Sequence, residues 1–247
     1  QAKGKVMKNL IAFVAATAMF ISLNSASADD HDGGPFYAFY HLQVADPTAL
    51  IGAMDTFWAS DCGKQYPADV ALLQEVFNGS SPSTHFIINT FQTSADQQQA
   101  TEIMRSCPDA VTFLQSLATS GTIPVSQYMG AAPIDESNWT EDTVFSKFDI
   151  VVEPHNQARY ADAYAKMMVK VSRDVDLRSY GLGGVIFGRD KFTHWVWTGA
   201  RSIPELNAIS QRMASHPVVA EFNKDVGRMR EVKNTSQNVI IKSYARQ

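Results

Sequence analysis

Six histidines and two cysteines carry most of the chemistry this chain can offer near neutral pH. His85 and His194 lie 109 residues apart, and each follows a threonine, in Thr84-His85-Phe86 and Thr193-His194-Trp195. Both fall in alternating stretches that read as strands. Along a strand, successive side chains face opposite sides. Tyr40, Leu42 and Val44, and likewise Phe148, Ile150 and Val152, form apolar sets expected to face helices, which turns Phe39, His41, Lys147 and Asp149 inward. With Trp195 and Trp197 on the helix side, His85 and His194 also turn inward, so His41, His85, Asp149 and His194 are expected to share one interior. Imidazoles and a carboxylate so grouped bind a divalent metal or move protons near neutral pH. The same grouping also reads as polar residues satisfied by one another and by water inside a closed interior, and both readings stand.

A second set is aromatic. Trp195, Trp197, Tyr160 and Tyr164 are expected to line an apolar ligand space between a sheet and its helices, on the face opposite the histidines. His155 follows a strand and reads as exposed, and His216 precedes Pro217 at a helix break, where a capping role is expected. Cys62 and Cys107 admit either a disulfide or two partly buried thiols, and no Cys-x-x-Cys spacing suggests a zinc or redox centre. Gly181-Leu182-Gly183-Gly184 lies inside a strand with no helix N-terminus after it, which points to a bulge or close packing rather than a phosphate loop.

The elements that must position these residues occur twice. With a constant offset of 109, Gly79, Thr84, His85, Met104, Ser106, Pro108 and Phe113 match Gly188, Thr193, His194, Met213, Ser215, Pro217 and Phe222. Each copy reads strand, helix, strand, strand, helix, strand. In the first, strands are expected over 36–44, 70–77, 84–91 and 123–129, with helices opening at Asp46-Pro47 and Ser94. The polar stretch 131–142 reads as a linker. In the second, strands are expected over 144–152, 180–187, 192–197 and 239–244, with a helix face at Tyr160, Ala163, Tyr164, Met167, Met168 and Val171 and a second helix capped by Ser202. The expectation is an α+β protein of two tandem ferredoxin-like βαββαβ modules, 36–130 and 143–247, packed sheet to sheet as an intramolecular pseudo-dimeric α+β barrel.

Residues 1–28 read as a leader. Met7-Lys8-Asn9, the apolar run Leu10 to Leu23 and the small residues Ala26-Ser27-Ala28 have the form of a secretory signal peptide, too short to stay as a spanning anchor. A periplasmic or secreted location is the expectation. Cleavage after Ala28 would begin the chain at Asp29-Asp30-His31, whose amine and His31 imidazole suit Cu(II) or Ni(II) in a square plane, and which reads equally as an acidic tail. A formal charge of −4 with mixed signs argues against nucleic acid and a polybasic membrane surface, and leaves a small apolar or aromatic molecule as the expected partner. No cofactor is named by the residues, a cofactor-free protein is admitted, and further oligomerisation is open.

Val196-Trp197-Thr198, the capped helix after it and Ser215-His216-Pro217-Val218-Val219-Ala220-Glu221-Phe222 resemble the dimeric α+β barrel superfamily. The likeness is to its antibiotic-biosynthesis and haem-degrading monooxygenases. The resemblance implies a monooxygenase-like activity or, in the other direction, a non-catalytic stress or ligand-sequestering protein. Trp197 matches the third-strand tryptophan of the haem-degrading members. Phe222 and Phe113 stand where their helical histidine would be, and Phe39 or Lys147 near their asparagine, so haem degradation by that route is not implied.

Overall fold

Helices start where the sequence supplies caps. In the computed structural model, which describes residues 35–137 and 141–247, Asp46 accepts a hydrogen bond from the Ala49 amide at 3.0 Å ahead of α1 (Pro47–Ala59). Thr93 and Asp96 form a reciprocal capping box at α2 (Ser94–Ser106), and Ser202 caps α5 (Ile203–Ser215). Pro108 and Pro217 then break each helical run, giving α3 (Pro108–Thr119) and α6 (Pro217–Val226). The remaining helix, α4 (Gln157–Val171), buries Tyr160, Tyr164, Met167, Met168 and Val171 along one face.

The strands are β1 (Phe36–Gln43), β2 (Asp69–Val76), β3 (His85–Phe91), β4 (Ile123–Glu136), β5 (Val144–Val152), β6 (Ser179–Phe187), β7 (His194–Ala200) and β8 (Arg230–Tyr244). All pair antiparallel in one closed ring, in the order β1-β3-β2-β8-β5-β7-β6-β4. Helices α1 to α3 cover the outer face of β4, β1, β3 and β2, and α4 to α6 that of the other four strands. The ring is closed where β2 meets β8 and β4 meets β6.

Those joins correct the linker expected at 131–142. β4 runs on to Glu136, which pairs with Tyr180, and the register shifts between Ala131 and Ile134 so that Pro133 sits at an irregularity a proline tolerates. The last strand also begins nine residues before the expected Val239, because the polar run from Arg230 to Asn238 hides its alternation while pairing with β5. The leader at Met7–Ala28 and the His31 motif lie outside the described residues. Among the described residues no helix is long and apolar enough to cross a membrane.

The barrel interior is aromatic. Tyr37, Phe39, Phe86, Tyr128, Phe145, Trp195 and Trp197 meet there, so the two tryptophans expected on the helix side point inward instead. Glycine makes this possible. Gly181 is directly opposite Trp197 and Gly183 opposite Trp195, and a Cβ on either would lie 2.1 Å from the facing indole. The glycine run is therefore close packing of backbone against rings, and the expected parity failed because it gave the largest side chains to the helices.

Cys62 and Cys107 form a disulfide, spanning 45 residues and tying the turn after α1 to the junction of α2 and α3. His216 joins the same kind of positions in the other half: it caps α6 through the Val218 amide and pairs with Asp174, just after α4, at 3.2 Å.

Two outcomes follow from this packing. Gly183→Ala should destabilise the fold by about 1–3 kcal/mol in urea unfolding, and by less in a Trp195→Leu background, since the clash is with that ring. Reducing the disulfide should cost about 4 kcal/mol by the loop-entropy relation, read as a lower urea midpoint with dithiothreitol than without.

Candidate functional site

The interior and the helix side offer different kinds of space. His41 and Asp149 face the interior. His41 Nδ1 lies 3.2 Å from Glu75, whose carboxylate also accepts from the Ser83 hydroxyl, and its ring packs 5.2 Å from Phe86. Asp149 pairs with Lys147, and the Lys147 ammonium lies 5.1 Å from the Phe192 ring centre and 5.6 Å from that of Tyr128. Burial pushes the Glu75 carboxyl up, but hydrogen bonds from His41 and Ser83, with the charges of His41 and Lys147, outweigh this and hold it below its ordinary value. These are paired charges in a filled space. The cavity beside them, lined by Trp195, Trp197, Lys147 and Asn238 among others, is about 40 Å³. That is room for about three waters and excludes an organic substrate or a haem.

His85 and His194 do not join this set. They occupy the first positions of β3 and β7 on the parity of Ile87 and Val196, which pack against the helices, so the expected four-residue interior is corrected to His41 and Asp149 alone. The cause is the inward turn of the tryptophans. Each outward histidine takes its preceding threonine as partner, His85 Nδ1 with Thr84 at 2.9 Å and His194 Nδ1 with Thr193 at 2.8 Å. Among the described residues these histidines and Asp149 nowhere bring three potential metal ligands together. The group that does, Cys62, Cys107 and Asp109, has its sulfurs in the disulfide.

The aromatic set is also divided. Tyr160 and Tyr164 lie on the helix side, where Tyr164 donates to the Gly181 carbonyl at 3.0 Å and Arg230 donates to the Tyr160 hydroxyl at 2.9 Å. Arg230 lies over the Phe222 ring at 5.2 Å, and the opening on this side, about 340 Å³, lies between α4 and α6. The ligand space expected from Trp195, Trp197, Tyr160 and Tyr164 together does not exist, because the sheet separates the indoles from the phenols. Trp197, the residue the haem-degrading resemblance singles out, looks into the small interior cavity.

Open space lies instead on the helix side of β1 and β3. A cleft of about 650 Å³ runs between these strands, the start of β4 and helices α2 and α3. Its walls are largely apolar, with Ile87, Phe91, Met104, Phe113 and Leu117. Of its polar groups, Tyr40 sits at the rim, while Tyr66 and Asn89 are buried. Asn89 donates to the Tyr66 hydroxyl at 2.7 Å, while its Oδ1 has no partner among the described residues. Burial, with the nearby Tyr40 hydroxyl, holds the Tyr66 hydroxyl above its ordinary value, and burial does the same for Tyr40, so both stay protonated. None of the three was singled out from sequence. Asn89 carried a signal, being a lone amide in the apolar strand His85-Phe-Ile-Ile-Asn89-Thr-Phe on the helix-facing parity.

Comparison with known proteins yields a fold. No family model matches the chain, and no curated protein matches its sequence. Solved structures do. A putative monooxygenase from Lactobacillus acidophilus superposes with a TM-score of 0.58 at 11% identity over 86% of this chain and 96% of its own. A putative monooxygenase from Fusobacterium nucleatum gives 0.57 at 13% identity, over 85% and 93%. An anthrone oxidase-like protein gives 0.56 at 10% identity, over 85% and 93%. What is shared is the fold, a closed eight-stranded antiparallel barrel with helices outside it. The α+β barrel of this chain matches these neighbours over nearly their whole length, and at such identities the match speaks for the backbone alone.

The outward histidines set a pH response. Burial holds both below the ordinary 6.5, with Glu75 opposing the shift at His85 and Arg189 adding to it at His194. Below pH 6.5 the unfolded chain therefore binds protons first, so stability is level above that pH and falls beneath it. Replacing His85 or His194 with Gln should shrink the loss of urea midpoint between pH 7.5 and 5.5, compared with wild type at both pH values.

Proposed function

We propose that the protein holds a small apolar or aromatic molecule in the cleft over β1 and β3 and acts on it as an exported, cofactor-independent monooxygenase. The observation that carries this reading is the cleft itself: about 650 Å³, largely apolar, with a few convergent polar groups at its inner wall. The monooxygenase part draws on the fold shared with putative monooxygenases and an anthrone oxidase-like protein. For a substrate of the anthrone class, an activated methylene loses two hydrogens and gains one atom of O₂. The second oxygen atom leaves with those hydrogens as water. The substrate supplies the electrons, so no bound reductant is required, and the protein's share is to position the ring and keep solvent away. Export rests on the leader-like sequence at Met7–Ala28. The same reading takes the chain as two tandem ferredoxin-like units, in keeping with the strand orders β4-β1-β3-β2 and β8-β5-β7-β6.

One observation favours a second reading, a non-catalytic ligand-sequestering protein. The cleft hydroxyls of Tyr40 and Tyr66 are held protonated, so neither serves as a base that would activate a bound substrate. Anthrone separates the two. Trp58 lines the cleft, so its fluorescence reports binding, and an oxygen electrode reports turnover. Binding with oxygen uptake above the uncatalysed rate, both lost in Leu114→Trp at the cleft rim, is the expected result. Saturable binding without uptake selects sequestration, and no binding refutes the cleft as the site.

A further inference from the structure

Asn89 is 5% exposed and sits among apolar side chains, yet its amide oxygen is left bare among the described residues. A buried acceptor without a partner is costly, so its place on a cavity wall needs a reason. Its neighbour is complementary. The Tyr66 hydroxyl accepts the Asn89 amide proton at 2.7 Å, and no described residue accepts the hydroxyl's own proton. An unspent acceptor and an unspent donor therefore stand side by side at the inner wall.

Their spacing is bounded by covalent geometry. Both amide heavy atoms belong to one planar group, so the free oxygen lies within about 5 Å of the Tyr66 oxygen. One ligand oxygen at ordinary hydrogen-bond length from each spans that gap. The pattern also survives reversal of the amide. With Asn89 turned over, its oxygen would accept from Tyr66, leaving an amide N–H as free donor and a Tyr66 lone pair as free acceptor. In either orientation the wall offers both a donor and an acceptor, and the pair can exchange roles together.

A ligand must answer with a group that both donates and accepts. A hydroxyl does so through a single oxygen. An ether or a ketone only accepts and leaves the Asn89 oxygen bare. A carboxylate also only accepts, and of the two basic side chains along the cleft Arg105 is exposed at the rim and His41 is already paired with Glu75. We infer that the inner wall of the cleft selects a neutral apolar alcohol or phenol, with Asn89 and Tyr66 as the pair that determines specificity. This rests on the cleft being the ligand site.

Four naphthalene probes test it by isothermal titration of the full chain: naphthalene, 1-naphthol, 1-methoxynaphthalene and 1-naphthoate. The expected result is 1-naphthol binding about tenfold tighter than its methyl ether and than 1-naphthoate. In Asn89→Leu and in Tyr66→Phe, the naphthol-to-ether ratio should collapse toward one while naphthalene affinity is kept, which also shows that the variants fold with the cleft intact. Equal wild-type affinity for naphthol and ether overturns the inference and leaves the cleft standing as a ligand site, and naphthoate binding as tightly as naphthol overturns the neutral selection. If none of the four binds, the cleft reading and this inference fall together.

Discussion

The arrangement depends on two indoles laid against bare backbone. A ring of eight strands leaves an interior just wide enough to be filled by side chains. Trp195 and Trp197 fit only because Gly183 and Gly181 stand opposite them without side chains, and Gly130 gives up the same volume to Trp195. Once the rings are inside, Lys147 can be buried against aromatic faces and held by Asp149, and His41 can be held by Glu75. A filled interior cannot be a substrate chamber. The tryptophans thus leave the larger open space to the outer face of the sheet.

The two outer faces are not equivalent. Over β5 and β7, Tyr160, Tyr164, Phe222 and Arg230 occupy the space beneath the helices. Over β1 and β3, α1 contributes Leu50, Met54 and Phe57 to the core, and the region under α2 and α3 stays open. The walls of that opening are braced from outside. The disulfide fixes the α2–α3 junction, Arg246 grips Asp96 at the start of α2 with two hydrogen bonds, and Tyr244 stacks 4.6 Å from Trp58. A cavity of this size would otherwise tend to collapse.

Much of this was legible in the residues, and the gaps have physical causes. Helix starts followed from Asp46-Pro47 and Ser202, because capping is local chemistry, while the cap expected at Ser94 is supplied by Thr93 one residue earlier. The inward parity of β1 and β5 followed from their alternation. Parity on β7 did not, since Trp, Val, Trp and His can each sit on either face, and only the glycines of a strand not yet paired reveal which. The length of β4 and β8 was hidden because their far ends are polar and owe their strand character to partners distant in the chain. Tyr66 was invisible as a site residue because a loop brings it under Asn89, and loop geometry has no period to read.

The closed ring also sets an order on folding. β8 lies between β2 and β5, with Val70 paired to Tyr244 at the far end of the chain. Neither β2 nor β5 has a partner on that side until the fifteen residues of β8 are in place. A chain emerging from its N-terminus therefore keeps two unpaired strand edges until β8 has been made, and closure waits on contacts of high sequence separation.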